Sequence, residues 1–184
     1  MPPAGAPFRL LGVRHLERGR LLQMQRRWYW SLEGRPMVRE MVRHPGSVAV
    51  LPALDTEVVL VRQPRTAIGD ALVEIPAGLR DLLDEEPIST ARRECEEETG
   101  FRPHRMTLLH RFYNSPGFTD EHTWLYLAEE LEQIDRRPQG AEERMSEVVR
   151  LPWEEAFRMG REGAIQDAKT VLALYALGFE RGWL

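Results

Sequence analysis

The chain has 184 residues with an apolar share of 42% and a charged share of 29%, which suits one ordinary globular domain, with room for a small N-terminal appendage. No apolar run approaches the ~18 residues that a membrane-spanning helix needs, and the first residues lack the apolar core of a signal peptide. The single cysteine, Cys95, excludes an internal disulfide and predicts a reducing, cytoplasmic location.

Charge is distributed unevenly along the chain. Residues 1–50 carry nine arginines against three glutamates, a balance of +6, so residues 51–184 balance at −10. A basic segment of this kind serves nucleic acid, an anionic small ligand or an acidic neighbour. Because it lacks a Lys/Arg cluster of the nucleic-acid type, we favour the latter two. Lys169 is the chain's only lysine, so an arginine at any one position says little about phosphate binding.

The first predicted elements are extended segments within residues 8–33, a turn at 34–36 and a strand from Met37 to His44. Trp28 and Trp30 stand at i and i+2, so they share one face of a strand. Two interpretations of this face stay open. It is either a core or dimer-interface surface, which is the commoner use of aromatic side chains, or a stacking surface for a nucleobase.

The next segments predict buried strands. Two short apolar runs, at 47–51 and 58–61, suit strands joined by a hairpin around Asp55 and Thr56. A strand at 71–75 and a turn at 76–78 lead into the loop before a helix. The elements predicted beyond that helix are strands at 106–113, 123–128 and 147–151, a loop at 114–121, an acidic stretch at 139–144, and helices at 152–162 and 167–181. Strands on both sides of one early helix, followed by closing helices, favour an α+β sandwich.

The early helix has clear boundaries. Pro87 suits its first turn, and Gly100 suits the position just past its end. Ile88, Ala91 and Cys95 form its predicted apolar stripe. Cys95 is therefore expected to be a small core residue rather than a nucleophile.

Three carboxylates lie together on this helix. Glu94, Glu97 and Glu98 stand at i, i+3 and i+4, near the negative end of the helix dipole. Like charges at these spacings cost about 0.2–0.5 kcal/mol per pair on an isolated helix. A hard divalent cation, which prefers carboxylate oxygens, would offset that cost. The alternative is a solvated acidic face, which is the ordinary explanation of a glutamate run.

The stretch from Gly78 to Phe101 resembles the signature of the Nudix hydrolases: G, five residues, E, seven residues, then R-E-U-x-E-E-x-G-U, where U is a bulky apolar residue. The matching positions are Glu85, Arg93, Glu94, Cys95, Glu97, Glu98, Gly100 and Phe101. Six residues, not five, separate Gly78 from Glu85. The insertion leaves the spacing along the helix unchanged, so metal binding is expected to survive it.

Further matches resemble the ADP-ribose pyrophosphatase branch of this family, which leads over the dinucleoside polyphosphate, sugar-nucleotide and coenzyme A branches. They are residues 74–78, residues 115–121 with Pro116 sixteen positions after Gly100, Arg62-Gln63-x-Arg65, and Arg39-Glu40 before 44–46. The resemblance implies a Nudix-type α/β/α sandwich with a mixed central sheet at 46–184. It also implies a small N-terminal β segment at 1–45, used for dimerisation and substrate contacts.

The resemblance implies an enzyme that uses Mg²⁺, with Mn²⁺ as the alternative, to hydrolyse ADP-ribose to AMP and ribose 5-phosphate. The metal would be held by Glu94, Glu97, Glu98 and the carbonyl of Ala77, and two or more ions would polarise the phosphate and activate water. Arg93 and Glu85 would orient these ligands, although Arg93 alone is explained equally well by an intrahelical ion pair.

The remaining implied roles concern the base and the substrate. Glu142 or Glu143, in the acidic stretch, is the expected general base, although a solvated charge run explains both residues nearly as well. Arg65 would meet a phosphate. Arg39 and Glu40 would meet the adenosine end. Pro116, which belongs to the same branch pattern, is also an expected substrate-binding residue. Trp28 or Trp30 would contact adenine, coming from the partner subunit of a swapped homodimer.

Two rival functions stay open at this stage. One is the same fold acting on another nucleoside diphosphate derivative, either a sugar nucleotide or a dinucleoside polyphosphate. The other is a Nudix-fold module that binds ADP-ribose or RNA without turnover. Clustered, mutually repelling carboxylates argue against a pure binder, since binding alone does not require them.

Overall fold

The computed structural model describes residues 8–80 and 85–182. In these ranges the strands are β1 Phe8–Arg18, β2 Gln23–Ser31, β3 Pro36–Arg43, β4 Ser47–Pro52, β5 Glu57–Arg65, β6 Asp70–Glu74, β7 Ala77–Leu79, β8 Phe101–Tyr113, β9 His122–Gln133 and β10 Glu147–Pro152. The helices are α1 Pro87–Thr99, α2 Ala141–Arg144, α3 Trp153–Arg161 and α4 Ala168–Glu180. The extra residue of the signature falls within 79–84, and positions 81–84 lie outside the described residues.

The chain divides into two compact units. The first comprises Met1–Gly46 and Phe112–His122, and the second comprises Ser47–Arg111 and Thr123–Leu184. The first unit therefore takes in a later segment, which contains the predicted loop, in addition to the N-terminal strands. The roles expected of the N-terminal segment in dimerisation and substrate contact stay predictions.

The first unit is built on an antiparallel sheet with the order β1-β2-β3. The later segment is held against β3 by backbone hydrogen bonds: the amide of Val42 donates to the carbonyl of Phe118 at 2.8 Å. The carboxylate of Asp120 accepts from the amide of His44 at 3.0 Å and pairs with Arg43. Backbone and side-chain contacts together position this loop beside the sheet.

The second unit contains two sheets. One is mixed, with the order β7-β4-β9-β8, where β4 is antiparallel to β7 and parallel to β9. The other is antiparallel, with the order β10-β5-β6. The predicted hairpin between β4 and β5 is wrong, because these strands join different sheets. Their adjoining ends are linked by the isolated bridge between Ala53 and Val58 and by the Leu54 amide, which donates to the carbonyl of Glu57 at 2.9 Å. Both strands are buried, so their side chains carry no alternation that would reveal their partners.

The core of the second unit lies between β4 and α1. Val48 and Val50 of β4 pack with Ala91 and Cys95 of α1 and with side chains of β9. Each fully buried aliphatic side chain of this size contributes about 1.5–3 kcal/mol to folding. These contacts hold one face of α1 against the mixed sheet, in which the short strand β7 is the neighbour of β4.

Helix α1 begins and ends where the sequence predicts. Pro87 occupies its first turn, and Gly100 follows its end with φ 74°, its amide donating to the carbonyl of Glu96 at 3.0 Å. A side chain at Gly100 would be strained by that φ, and its Cβ would lie 2.9 Å from the carbonyl oxygen of Ile134. Glycine is therefore required there for both reasons.

Several predictions about local structure are corrected. Ile88 is 40% exposed and is not part of the buried stripe of α1. Residues 77–79 form β7 rather than a turn, and the acidic stretch contains α2. Strands β8 and β9 are also longer than predicted, because their polar outer parts pair at the edge of the sheet without needing an apolar pattern.

The last two helices close the second unit. Asp167 precedes α4, and its carboxylate accepts from the amide of Thr170 at 2.9 Å, which satisfies one free donor of the first turn. The buried side chains of α4 include Ala173, Leu174 and Leu177. Within the described ranges, 8–80 and 85–182, no helix has the length and apolar character required to cross a membrane.

Burial makes Cys95 chemically inert. It raises the pKa of the Cys95 thiol to about 12, and the nearby Thr99 hydroxyl only partly offsets this. We expect iodoacetamide to leave the native protein unmodified at neutral pH and to alkylate it fully in denaturant, because the thiolate is the reactive form. Mass spectrometry of both samples measures this. Rapid alkylation of the native chain would contradict the prediction.

Candidate active site

The site begins where β7 approaches α1. A Cβ added at Gly78 would overlap the carboxylate of Glu94. Glycine at this position therefore lets the backbone of β7 lie directly against the acidic face of the helix. This contact gives a structural reason for the glycine that the sequence pattern singled out.

Replacing Gly78 with alanine should misplace Glu94. We expect Gly78→Ala to lower kcat/KM by about 10²-fold, since displacing a functional group by about 1 Å has effects of that size. Gly12→Ala is the control, because a Cβ at Gly12 meets nothing within 4 Å. The measurement is steady-state hydrolysis by both variants, with circular dichroism to check folding. Full activity of Gly78→Ala would show that Glu94 tolerates the shift.

Two of the three carboxylates are buried. Glu94 is 7% exposed and Glu98 is 2% exposed. Burial, followed by the neighbouring charges of Glu97 and Glu143, raises the pKa of Glu94 to about 7, although Arg93 opposes the shift. Burial and the charges of Glu94 and Glu143 raise the pKa of Glu98 well above its ordinary value. The solvated-face alternative is therefore wrong for these two residues.

Arg93 lies among the acids. Its Nη1 is 2.8 Å from Glu94 Oε1 and 3.2 Å from Glu97 Oε2, and its Nη2 is 3.4 Å from Glu85 Oε2. Burial works against its charge, but the three carboxylates raise the pKa of Arg93 overall. The Thr90 hydroxyl donates to Glu85 at 2.9 Å. Arg93 therefore contacts Glu94 and Glu97, two of the ligands that the resemblance expects it to orient, together with Glu85, which was expected to share that role.

The donor set consists of carboxylate oxygens, the ligands that a hard divalent cation prefers, but the described side chains do not form a preformed metal cluster. Glu94 and Glu98 are both buried, and the charge of Glu94 helps to raise the pKa of Glu98, so a cation bound beside them would stabilise their ionised forms. No three acidic, His or Cys side chains of the described residues converge on one point as a metal cluster. Arg93 occupies part of the space around Glu94 and Glu97. Ala77, whose carbonyl was expected to complete the set, donates its amide to Glu98.

These residues line a groove of about 470 Å³. It also includes Arg65, Glu142 and Glu143, so the predicted phosphate ligand and both candidate bases lie with the acidic face of α1. Glu142 accepts a hydrogen bond from the Thr66 hydroxyl at 3.0 Å, and Glu143 accepts one from the amide of Gln139 at 2.7 Å. Glu143 acts electrostatically on both Glu94 and Glu98. The geometry gives each candidate base a partner and leaves the choice between them open.

Two residues of this region carried no functional prediction. Gln63 lines the groove, and its side-chain oxygen is buried without a hydrogen-bond partner among the described residues. Arg136 donates to the carbonyls of Glu98, Glu143 and Ser146. It therefore links the end of α1 to the acidic stretch at 139–144. The pattern Arg62-Gln63-x-Arg65 contained a signal for Gln63, whereas no sequence signal marks Arg136.

The first unit holds a separate groove of about 330 Å³. It brings together Arg39, Glu40 and Pro116, three of the predicted substrate residues, with Tyr29 and Phe118. Glu40 is also paired with Arg26 at 2.5 Å.

Trp28 and Trp30 do not line this groove. Side chains alternate along β2, so both lie on the opposite face from Tyr29, where they are 36% and 44% exposed. Tyr29 is therefore the β2 aromatic that sequence reasoning missed. The sequence signal was the alternation of side chains along β2, which places Tyr29 on the other face of the strand from the two tryptophans.

The chain is similar to several known proteins. The NUDIX domain family matches residues 43–174. The chain is 40% identical to an ADP-ribose pyrophosphatase of Bacillus subtilis over 145 residues, which cover 78% of each chain. It is 38% identical to a methanol dehydrogenase activator of Bacillus methanolicus over 160 residues, 86% of each chain. It is 39% identical to a GDP-mannose pyrophosphatase of Cronobacter sakazakii over 128 residues, 65% of each chain.

A solved structure described as an ADP compounds hydrolase superimposes with a TM-score of 0.81 at 22% identity, covering 97% of this chain and 95% of the other. This similarity establishes the mixed α+β fold. Together with the family match over residues 43–174, it shows that the chain belongs to the Nudix family and is a Nudix hydrolase. Nudix ADP-ribose pyrophosphatases generally use a divalent metal.

Proposed function

We propose that the protein hydrolyses the pyrophosphate bond of ADP-ribose to AMP and ribose 5-phosphate, with Mg²⁺ as its metal and Mn²⁺ as the substitute. The observation that carries the proposal is the groove in which Glu94 and Glu98 are buried opposite Arg65. The B. subtilis relative, named for this reaction, supports the choice of substrate.

The charged residues of the groove have defined tasks in this proposal. Glu94, Glu97 and Glu98, with the Ala77 carbonyl, would hold the divalent ions, and the ions would supply charge neutralisation at the phosphoryl oxygens and a lowered pKa for the attacking water. Arg93 keeps Glu94 and Glu97 in place through the contacts described above.

The remaining tasks concern the substrate and the proton. Arg65 donates to a phosphate oxygen, where its fixed guanidinium stabilises the charge that develops during transfer. Glu142 or Glu143 accepts the proton of the attacking water. The new P–O bond to this water forms as the bridging P–O bond breaks, and the leaving phosphate keeps the bridging oxygen.

A substrate panel tests the proposal. ADP-ribose, ADP-glucose, GDP-mannose, NADH and diadenosine polyphosphates are incubated with the enzyme in Mg²⁺, in Mn²⁺ and in chelator, and products are separated by chromatography. ADP-ribose should have the highest kcat/KM and yield AMP, and chelator should abolish turnover. Preference for a dinucleoside polyphosphate would overturn the substrate assignment, and full turnover in chelator would overturn the metal.

A sugar nucleotide is the second candidate substrate. It is favoured by the relative named GDP-mannose pyrophosphatase. The same panel separates the two, since GDP-mannose turnover releases GMP rather than AMP. A module that binds without turnover would give no product from any compound.

We further propose a homodimer formed through the N-terminal strands, with Trp28 or Trp30 of one subunit placed against adenine of the other. The exposed face of β2 and β3 supports this, since Trp28, Trp30 and Val38 are large apolar side chains that a partner would cover. Arg39, Glu40 and Pro116 form the proposed adenosine contacts within the first unit. A monomeric mass by sedimentation at assay concentrations would reject the dimer.

The proposed setting is the cytoplasm, with a nucleotide-sugar substrate and neither nucleic acid nor a membrane as partner. The reduced, buried Cys95 supports a reducing compartment.

A further inference from the structure

The chain's only lysine belongs to an ion-pair network that reaches the groove. Lys169 Nζ is 2.6 Å from Asp167 Oδ1 and 3.6 Å from Glu74 Oε2. Glu74 is 1% exposed, and it also accepts hydrogen bonds from Nε and Nη2 of Arg65 at 2.7 and 2.8 Å. One buried carboxylate is therefore shared by two cations, and one of these, Arg65, lines the active-site groove.

The network is anchored at the start of α4. Asp167 Oδ2 accepts from the amide and the hydroxyl of Thr170 at 2.9 and 2.6 Å. The Thr170 hydroxyl oxygen in turn accepts from the amide of Ile75 at 2.8 Å. These bonds hold the first turn of α4 against the end of β6, so Lys169 has a defined position beside Glu74.

The choice of lysine suits this position. Apart from Lys169, all the Lys and Arg residues of the chain are arginines. The planar guanidinium of arginine favours bidentate pairing with one carboxylate. Arg65 makes such a pair with Glu74. Lys169 lies instead between two carboxylates, where a compact ammonium can serve both.

We infer that Lys169 is a positioning residue for the pyrophosphate reaction, acting through Glu74 on Arg65. Arg65 uses Nε and Nη2 for Glu74, which leaves the donors of Nη1 for a ligand. Because Lys169 neutralises part of the Glu74 charge, more of the positive charge of Arg65 acts on the substrate phosphate. The inference rests on the proposed function in one respect, namely that Arg65 meets a phosphate.

The kinetic consequence is a change in substrate binding. Lys169→Met should raise KM for ADP-ribose by about fivefold, with little change in kcat. This is the size expected when a partly screened charge close to Glu74 and Arg65 is removed. Lys169→Arg keeps the positive charge, so its KM should lie close to that of the unaltered protein. Arg158→Met is the control, because it removes one charge from an exposed ion pair on α3. An unchanged KM in Lys169→Met would overturn the inference.

A second measurement needs no substrate. Protein labelled with ¹⁵N at lysine Nζ gives one side-chain ammonium signal, because the chain has one lysine. Arg65→Met should shift this signal through the shared Glu74, whereas Arg158→Met should leave it in place. A signal unmoved by Arg65→Met overturns the coupling, even where Lys169→Met fails to fold. A shifted signal in a protein that does not hydrolyse ADP-ribose supports the coupling and rejects the proposed function instead.

Discussion

Glu98→Gln is expected to lower kcat by about 10³-fold, the upper part of the range for losing one group on which the stabilisation of transition-state charge depends. Glu98 is the most buried of Glu94, Glu97 and Glu98, and it accepts from the Ala77 amide and lies within the electrostatic influence of Arg65. An amide has almost the same shape but carries no negative charge. The loss therefore reports the charge rather than the packing of the side chain.

The same substitution should stabilise the metal-free protein. Glu98 has a pKa raised well above its ordinary value, so at neutral pH the fold must either take up a proton there or hold a buried charge, and both cost free energy relative to the unfolded chain. Glu98→Gln removes that cost. Lower activity together with a higher denaturation midpoint in chelator is a combination that simple misfolding cannot produce.

Glu96→Gln is the matched control on the same helix. Glu96 pairs with Arg102 at 3.2 Å on the outer side of α1, and its loss should change stability by less than about 1 kcal/mol. Activity should be unaffected. Hydrolysis by Glu98→Gln at the rate of the unaltered enzyme would remove Glu98 from the mechanism.

The stability of the metal-free protein should decrease as pH rises from about 4.5 to about 7. The folded-state pKa of Glu94 is raised from 4.5 to about 7, so the folded protein binds the proton more tightly than the unfolded chain does. At 1.36 kcal/mol per pKa unit, this group alone removes about 3 kcal/mol of stability between about pH 4.5 and about pH 7. Glu98 acts in the same direction.

Mg²⁺ should reverse this loss, and more strongly at high pH than at low pH, because it binds the ionised carboxylates and not the protonated ones. Urea unfolding between about pH 5 and about pH 8, in chelator and in Mg²⁺, measures both effects. Other carboxylates contribute to the absolute curve, so the quantity to compare is the difference between the unaltered protein and Glu94→Gln. A difference that does not vary with pH would show that Glu94 titrates normally.

The chemistry of the site could be predicted from α1 because its information is local. Pro87 and Gly100 set the ends of the helix through backbone conformation, and helical periodicity places Glu94, Glu97 and Glu98 together. The spacing from Glu85 to Phe101 was sufficient to indicate the family, and the family match confirms it. The extra residue in the preceding loop did not affect this result, since it lies outside the helix.

Other features depended on contacts between distant parts of the chain. The sequence predicted Ile88 to be buried and left Glu94 and Glu98 on an adjoining face, whereas the fold exposes Ile88 and buries both acids. Burial depends on what lies opposite the helix, and here that is β7 with Gly78. The separation of β4 and β5 into different sheets was likewise decided by their long-range partners, β9 and β10.

The sequence by itself therefore determined the spacing of the carboxylates, the ends of α1 and the family, because each follows from residues within about one turn or one short loop. The tertiary structure decided which of those carboxylates lose their water and how Arg65 is held. It also placed Lys169, 95 positions beyond Glu74, beside that carboxylate. Burial and ion pairing depend on distances in space, and residue spacing along the chain does not encode them.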